Sequence, residues 1–223
     1  MVTASDVANR LAVVRERIER VSSHEVTIVA VTKGWGVDAV LAAAEVGLTD
    51  FGENRAQEVI AKFCEIDPAT LAGRTIHFIG QLQTNKIAAL SRYVNLWQSI
   101  DRRELVEVLA RRCPGAPILV QVNVTQEPQK GGCEPDQTAG LVELATRLGL
   151  VPNGLMAIGK ADDERVTCNG FAQLRRLCDG LQLPICSMGM TDDLELAVAA
   201  GSTMIRVGGA LFGDRPGFVA RGG

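Results

Sequence analysis

A lysine that directly follows a β-branched run is the first residue in this chain with the makings of chemistry. Val26-Thr27-Ile28-Val29-Ala30-Val31-Thr32 leads into Lys33-Gly34-Trp35-Gly36, which sets a primary amine at the end of a stiff, buried segment. Such an amine either snorkels into water on its flexible stem or condenses with a carbonyl as a Schiff base. The second reading needs a partner group, and the far end of the chain offers one. Arg206-Val207-Gly208-Gly209-Ala210 joins a cation to two residues without a Cβ, whose backbone N–H groups can approach an anion closely. Ser187-Met188-Gly189-Met190-Thr191 adds hydroxyl donors. Thr191, however, could equally cap a helix opening at Asp192, and the Asp192-Asp193 carboxylates oppose an anion there. The diglycine is the stronger cradle.

A second motif competes. Gly34-Trp35-Gly36-Val37-Asp38-Ala39 fits G-x-G-x-x-A, and Glu53 lies seventeen residues beyond Gly36, as in a dinucleotide-binding turn of a nicotinamide-dependent oxidoreductase. Trp35 is bulky where backbone must approach pyrophosphate, and this reading leaves Lys33 and the diglycine unexplained. Six cysteines form no C-x-x-C pair, and with only His24 and His77 no zinc spacing arises. The thiols read as free in a reducing cytoplasm.

The elements that would position these residues alternate. Val7, Leu11, Val14, Ile18 and Val21 recur at helical spacing among charged residues, an amphipathic first helix. Strands are expected at 26–32, 49–52, 75–80, 94–100, 117–124, 154–159, 184–187 and 203–207. Between them, helical spacing runs over 37–46, 56–66, 85–91, 103–112, 136–148, 169–177 and 192–200. Gly47, Gly149, Gly180 and Gly201 fall where left-handed helix caps belong. Eight strand–helix units predict an α/β fold, a closed (β/α)₈ TIM barrel with an additional N-terminal helix, the whole of 1–223 being one domain. An open doubly wound sheet is the competing architecture.

Closure makes strand one the neighbour of strand eight, about 4.8 Å away, so Lys33 and Gly208-Gly209 would share one rim. Pyridoxal 5′-phosphate, with its aldehyde and its phosphate, matches an amine and an anion cradle at that separation. Arg206 would face its ring nitrogen or its phosphate, or else form a surface ion pair.

Composition narrows the classes. The chain has 223 residues, 47% hydrophobic, with 23 basic and 26 acidic side chains and a formal net charge of -3. That balance gives no electrostatic footprint for nucleic acid. No apolar run reaches the roughly 18 residues of a membrane span, and the charged first helix is no signal peptide.

Several segments, taken together, carry a resemblance: Ala30-Val31-Thr32-Lys33, Phe51-Gly52-Glu53-Asn54, the run from His77 to Lys86, Gly154 to Gly159, Ser187-Met188-Gly189-Met190 and Gly201 to Gly208. In this order they resemble the pyridoxal phosphate homeostasis protein family, a single-domain relative of the alanine racemase barrel. The resemblance implies that Lys33 holds pyridoxal phosphate as a Schiff base, that Ser187, Gly208 and Gly209 hold its phosphate, and that Arg206 faces the cofactor. It implies that Asn54, His77 and Met156 line the mouth. Gly209 departs from the hydroxyl residue common there, leaving backbone N–H as the donor.

Racemisation needs an acid/base on each face of Cα. The only tyrosine, Tyr93, precedes a strand at the opposite end of the barrel, and no second base is evident. An arginine on the ring nitrogen would also disfavour its protonation and weaken the ring as an electron sink. The expectation is therefore a non-catalytic, cytoplasmic, monomeric carrier or buffer in vitamin B6 homeostasis that hands the cofactor to apo enzymes, with a weak amino-acid racemase as the alternative.

Overall fold

The computed structural model describes residues 1–127 and 129–214. Eight parallel strands close into a barrel in chain order: β1 (Thr27–Val31), β2 (Asp50–Glu53), β3 (Thr75–Phe78), β4 (Leu96–Ile100), β5 (Pro117–Gln121), β6 (Val151–Met156), β7 (Ile185–Ser187) and β8 (Met204–Val207). The seam is the β1–β8 pair, in which Thr27 faces Met204 and Ala30 faces Val207. Closure leaves no open edge and rules out the doubly wound sheet.

Period-2 alternation sorts the strand side chains. Ala30, Phe51, Phe78, Trp97, Ile118, Leu155 and Ile205 point outward into the main core under the helices, whereas Val29, Leu96, Leu119, Met156 and Met204 fill the cylinder. The helical cover is α1 (Ala4–Glu19), α2 (Val37–Glu45), α3 (Ala56–Phe63), α4 (Pro68–Leu71), α5 (Ile87–Leu90), α6 (Arg103–Arg112), α7 (Thr138–Arg147), α8 (Glu164–Gly180), α9 (Leu194–Ala199) and α10 (Gly209–Phe212). Among these, α10 is a single turn, too short to cover β8. The N-terminal helix supplies the missing layer: α1 packs on α10, α2 and α9 and buries Val7, Leu11, Val14 and Ile18. Val21 lies beyond its end and is exposed.

Where element bounds depart from expectation, the causes are local. Helix α8 begins at Glu164, five residues before the apolar spacing suggests, because the Asp163 side chain caps it by accepting from the Val166 amide at 3.0 Å. Helices α4 and α10 are each one turn, too short to establish a period. Gly47, Gly149 and Gly201 take left-handed conformations after their helices, but Gly180 is the last residue of α8 and the left-handed position falls on Gln182, at φ 55°. All four ends close the same way, with a 6→1 bond from Leu48, Leu150, Leu183 or Ser202 back into the helix. Among the described residues no helix is long and apolar enough to cross a membrane.

Candidate cofactor site

A cavity of about 820 Å³ opens at the carboxyl ends of the strands, the end of a (β/α)₈ barrel where ligands bind. Lys33, Asn54, Thr191, Arg206, Gly208 and Gly209 stand on its wall. Lys33 projects from a turn fixed on three sides. The Trp35 amide donates to the Thr32 carbonyl at 3.0 Å, Gly34 adopts φ 76°, a region a β-carbon disfavours, and the Gly34 amide donates to Glu58 Oε2 at 2.7 Å. Beneath the turn, Lys62 Nζ donates to the Thr32 carbonyl at 2.7 Å and to Glu53, while Thr32 Oγ1 donates to Glu53 Oε1 at 2.6 Å. Glu53 is fully buried and Lys62 nearly so. Burial pushes the Glu53 carboxyl above the usual range, with Lys62 opposing. Glu53 is thus sealed in an ion pair behind the wall and cannot reach a ribose, which removes the acid that a dinucleotide site needs.

On the other side of the seam, a Cβ at Gly208 would sit 3.1 Å from the Val31 carbonyl, whereas at Gly209 it would meet only Thr191 Oγ1, at 4.0 Å. Thr191 is not the cap of α9. Asp193 holds the N-cap position and accepts from the Met190 amide at 2.5 Å, while Thr191 Oγ1 accepts from the Ala210 amide at 3.3 Å. The hydroxyl therefore belongs to the cavity wall beside the diglycine. Arg206 is 4% exposed, and its Nη1 donates to Ser187 Oγ at 2.6 Å and its Nη2 to the Ala157 carbonyl at 2.8 Å. Burial lowers its pKa to about 10, with Asp193 nearby opposing the shift, so it stays cationic at neutral pH. Among the described residues it forms no surface ion pair.

The structure brings five of the eight expected residues onto this wall: Lys33, Asn54, Arg206, Gly208 and Gly209. It places His77, Met156 and Ser187 inside the cylinder, each with no exposed surface. Just past the ends of β3 and β6, Ile79, Gln81 and Ile158 take the wall positions instead. Ser187 reaches the site only through Arg206. Gln121 and Lys130 are wall residues that the sequence did not single out, whereas Thr191, which the sequence left open between anion donor and helix cap, stands on the wall as a donor candidate. Tyr93 precedes β4 at the barrel's opposite end.

The donor set suits a phosphorylated aldehyde: an amine, a guanidinium, and two backbone N–H groups with a hydroxyl beside them. One atom adds weight. Asn54 Oδ1 is buried with no hydrogen-bond partner among the described residues, although it lines the cavity from a backbone so close to β3 that a Cβ at Gly80 would overlap the Asn54 carbonyl. An unsatisfied buried acceptor at a pre-formed wall fits a bound polar ligand.

The profile of the family described as alanine racemase, N-terminal domain, matches residues 3–216. The chain is 37% identical to a pyridoxal phosphate homeostasis protein of Pseudomonas aeruginosa, covering 95% of each, and 35% identical to one of Escherichia coli K12, covering 95% of this chain and 97% of that one. Among solved structures it resembles PipY of Synechococcus elongatus with PLP bound, at 33% identity and TM-score 0.81, over 93% of this chain and 100% of that one. A Clostridium difficile alanine racemase shares the fold at TM-score 0.75 and 12% identity, this chain covering 58% of it. The barrel and these likenesses agree: the chain belongs to the pyridoxal phosphate homeostasis protein family, built on the alanine racemase N-terminal barrel.

Proposed function

We propose that this protein binds pyridoxal 5′-phosphate in the cavity at the strand ends and acts in vitamin B6 homeostasis as a carrier or buffer of the cofactor. The observation that carries the reading is the seam: Lys33 follows β1 and Gly208-Gly209 follow β8, on one wall of one cavity. When bound, the cofactor supplies an aldehyde that an amine takes up reversibly and a phosphate that needs anion donors. Lys33 supplies the amine. The Gly208 and Gly209 amides with Thr191 Oγ1 supply the cradle, and Arg206, which can only donate, presents N–H to an acceptor on the ring. Ser187 acts through Arg206, and His77 and Met156 support the wall from within.

Acid/base chemistry on the far face of a bound amino acid has little support from these side chains. Among the described wall residues there is no tyrosine, histidine or cysteine, and Lys130 is engaged as a donor to Glu127 and, at 2.6 Å, to the Gly159 carbonyl, which leaves the carboxylates of Asp192 and Asp214 as the groups a racemase would have to use. This favours holding and release over racemisation. In the same reading the whole chain, 1–223, is one cytoplasmic cofactor-binding domain that works as a monomer and passes its cofactor to apo enzymes. Incubation with pyridoxal phosphate followed by borohydride reduction tests the core of it. A visible absorption band and a single reduced adduct on the Lys33 peptide are expected, both lost in Lys33→Ala. Colourless wild-type protein with unmodified Lys33 overturns the proposal, and solvent deuterium appearing at Cα of alanine with turnover would favour the racemase instead.

A further inference from the structure

A line of polar side chains crosses the barrel interior, and the binding of cofactor at the wall does not by itself require it. Arg206 Nη1 lies 2.6 Å from Ser187 Oγ, Ser187 Oγ 2.8 Å from Gln98 Oε1, Gln98 Nε2 2.6 Å from His77 Nδ1, and His77 Nε2 2.9 Å from Asp50 Oδ1. His77, Gln98 and Ser187 have no exposed surface and stand beside the apolar layer of Val29, Leu96, Leu119, Met156 and Met204. Asp50 opens β2 and lines a separate hollow at the amino-terminal end of the barrel. Arg206 lines the cofactor cavity at the other end. The line therefore runs the length of the cylinder.

Its two ends fix its polarity. A guanidinium has no acceptor and a carboxylate no donor, so every bond between them points the same way once the single Ser187 hydrogen is also to find its partner within the line. Ser187 Oγ accepts from Arg206 and has its one hydrogen left for Gln98 Oε1. The Gln98 amide nitrogen then donates to His77 Nδ1, and the neutral ring must carry its proton on Nε2, facing Asp50. Turning the Gln98 amide over would put a donor against Ser187, stranding the buried Ser187 hydrogen whatever the protonation of His77, and with one ring proton it would also leave an unprotonated Nε2 against a carboxylate. Only the first arrangement satisfies all five groups, and a half-satisfied buried network is costly.

We propose that His77 and Gln98 are positioning residues for Arg206: anchored on Asp50, they hold the Ser187 hydroxyl as an acceptor and so fix how the guanidinium meets the bound cofactor. The inference rests on the cofactor reading of the upper cavity. It also gives Ser187 a definite role. With its hydrogen committed to Gln98, Ser187 has no proton to offer a phosphate, and the hydroxyl on the wall is that of Thr191.

Nitrogen-15 NMR of the cofactor-free wild type tests the polarity without any ligand or variant. The expected result is an unprotonated His77 Nδ1 accepting from Gln98, with the proton on Nε2, and a proton on Nδ1 overturns the proposal. The cofactor-dependent arm compares Gln98→Leu and His77→Phe, which cut the line at different points away from the wall, with Leu119→Val, which disturbs the same interior without touching it. Each cut is expected to weaken pyridoxal phosphate binding about tenfold, the order of one lost hydrogen bond to a buried charge, and to shift the visible band. The double variant should be no weaker than the worse single one, and Leu119→Val should keep the wild-type band. Wild-type affinity and band in either folded cut variant, or the same band shift in Leu119→Val, overturn the positioning role. If the wild type takes up no cofactor, the cofactor reading falls and this role falls with it, whereas a wild type that binds beside unaltered cut variants sinks the positioning role alone.

Discussion

Lys62 reaches under the end of β1 and donates to both the Thr32 carbonyl and Glu53, and the next residue after Thr32 is Lys33. The ion pair is buried, so its net contribution to stability is small until one partner is removed, when an uncompensated charge is left behind. Lys62→Met is therefore expected to cost about 3–5 kcal/mol, read as a lower urea midpoint, and to slow cofactor trapping at Lys33 because the carbonyl before it loses its anchor. An unchanged midpoint would show that Glu53 is relieved some other way. At this scale the sequence was informative where a residue type and a strand end coincide. Lys33 stood out because a β-branched run stops at it, and Gly208-Gly209 because paired glycines after a strand have few structural uses. It was uninformative where facing depends on a shift of one or two residues. His77 and Ser187 point into the cylinder, and their alternates Ile79, Gln81 and Thr191 reach the wall. Nothing in the sequence singles out Lys62, whose role shows only once β1, β2 and α3 are assembled around it.

Besides its packing on α10 and α9, the N-terminal helix is tied to the site by Arg17. Arg17 Nε and Nη2 engage both oxygens of Glu195 on α9 at 2.6 and 2.7 Å, and Nη2 also donates to the Thr191 carbonyl at 2.9 Å. The tie thus fastens α1 to the loop that carries the wall hydroxyl. The Arg17 hydrogen bond holds the Glu195 carboxyl below its ordinary value. A carboxyl with a depressed folded-state pKa contributes stability above its unfolded value, about 4.3, and loses it as pH falls through the folded one. Hydrogen exchange over residues 188–193 should accordingly speed up as pH falls below about 4, after correction for intrinsic rates, and Arg17→Ala should show the fast exchange already at pH 7. Equal protection in the variant would separate α1 from the loop. Helix existence was legible from periodicity, α1 included, except at the one-turn α4 and α10. The role of α1 as the eighth outer layer was not, since that depends on α10 being one turn long. The α8 end was misplaced for a related reason: Gln182 accepts a left-handed conformation that composition would assign to glycine.

At the level of the molecule, the cavity belongs to the folded barrel alone, because its wall draws on the ends of strands from β1 to β8. A ligand that binds only the folded state stabilises it by about 2.7 kcal/mol at a hundred times its Kd. For a chain of this size that corresponds to a rise in Tm of about 5–10 °C. Pyridoxal phosphate should produce such a shift in scanning calorimetry, and Lys33→Ala should lose most of it. No shift in the wild type would count against specific binding. The barrel was legible because eight strand–helix units admit few other closures, while the polar line through its interior was not, since Asp50, His77, Gln98, Ser187 and Arg206 are scattered among five strands. The seam carries one more consequence. Thr27 finds its partner in Met204, so a nascent chain leaving the ribosome keeps one side of its first strand bare until almost the last of the described residues has emerged. Pairings of such sequence separation form slowly and leave sticky intermediates, which makes late translation the period when this protein most needs a chaperone.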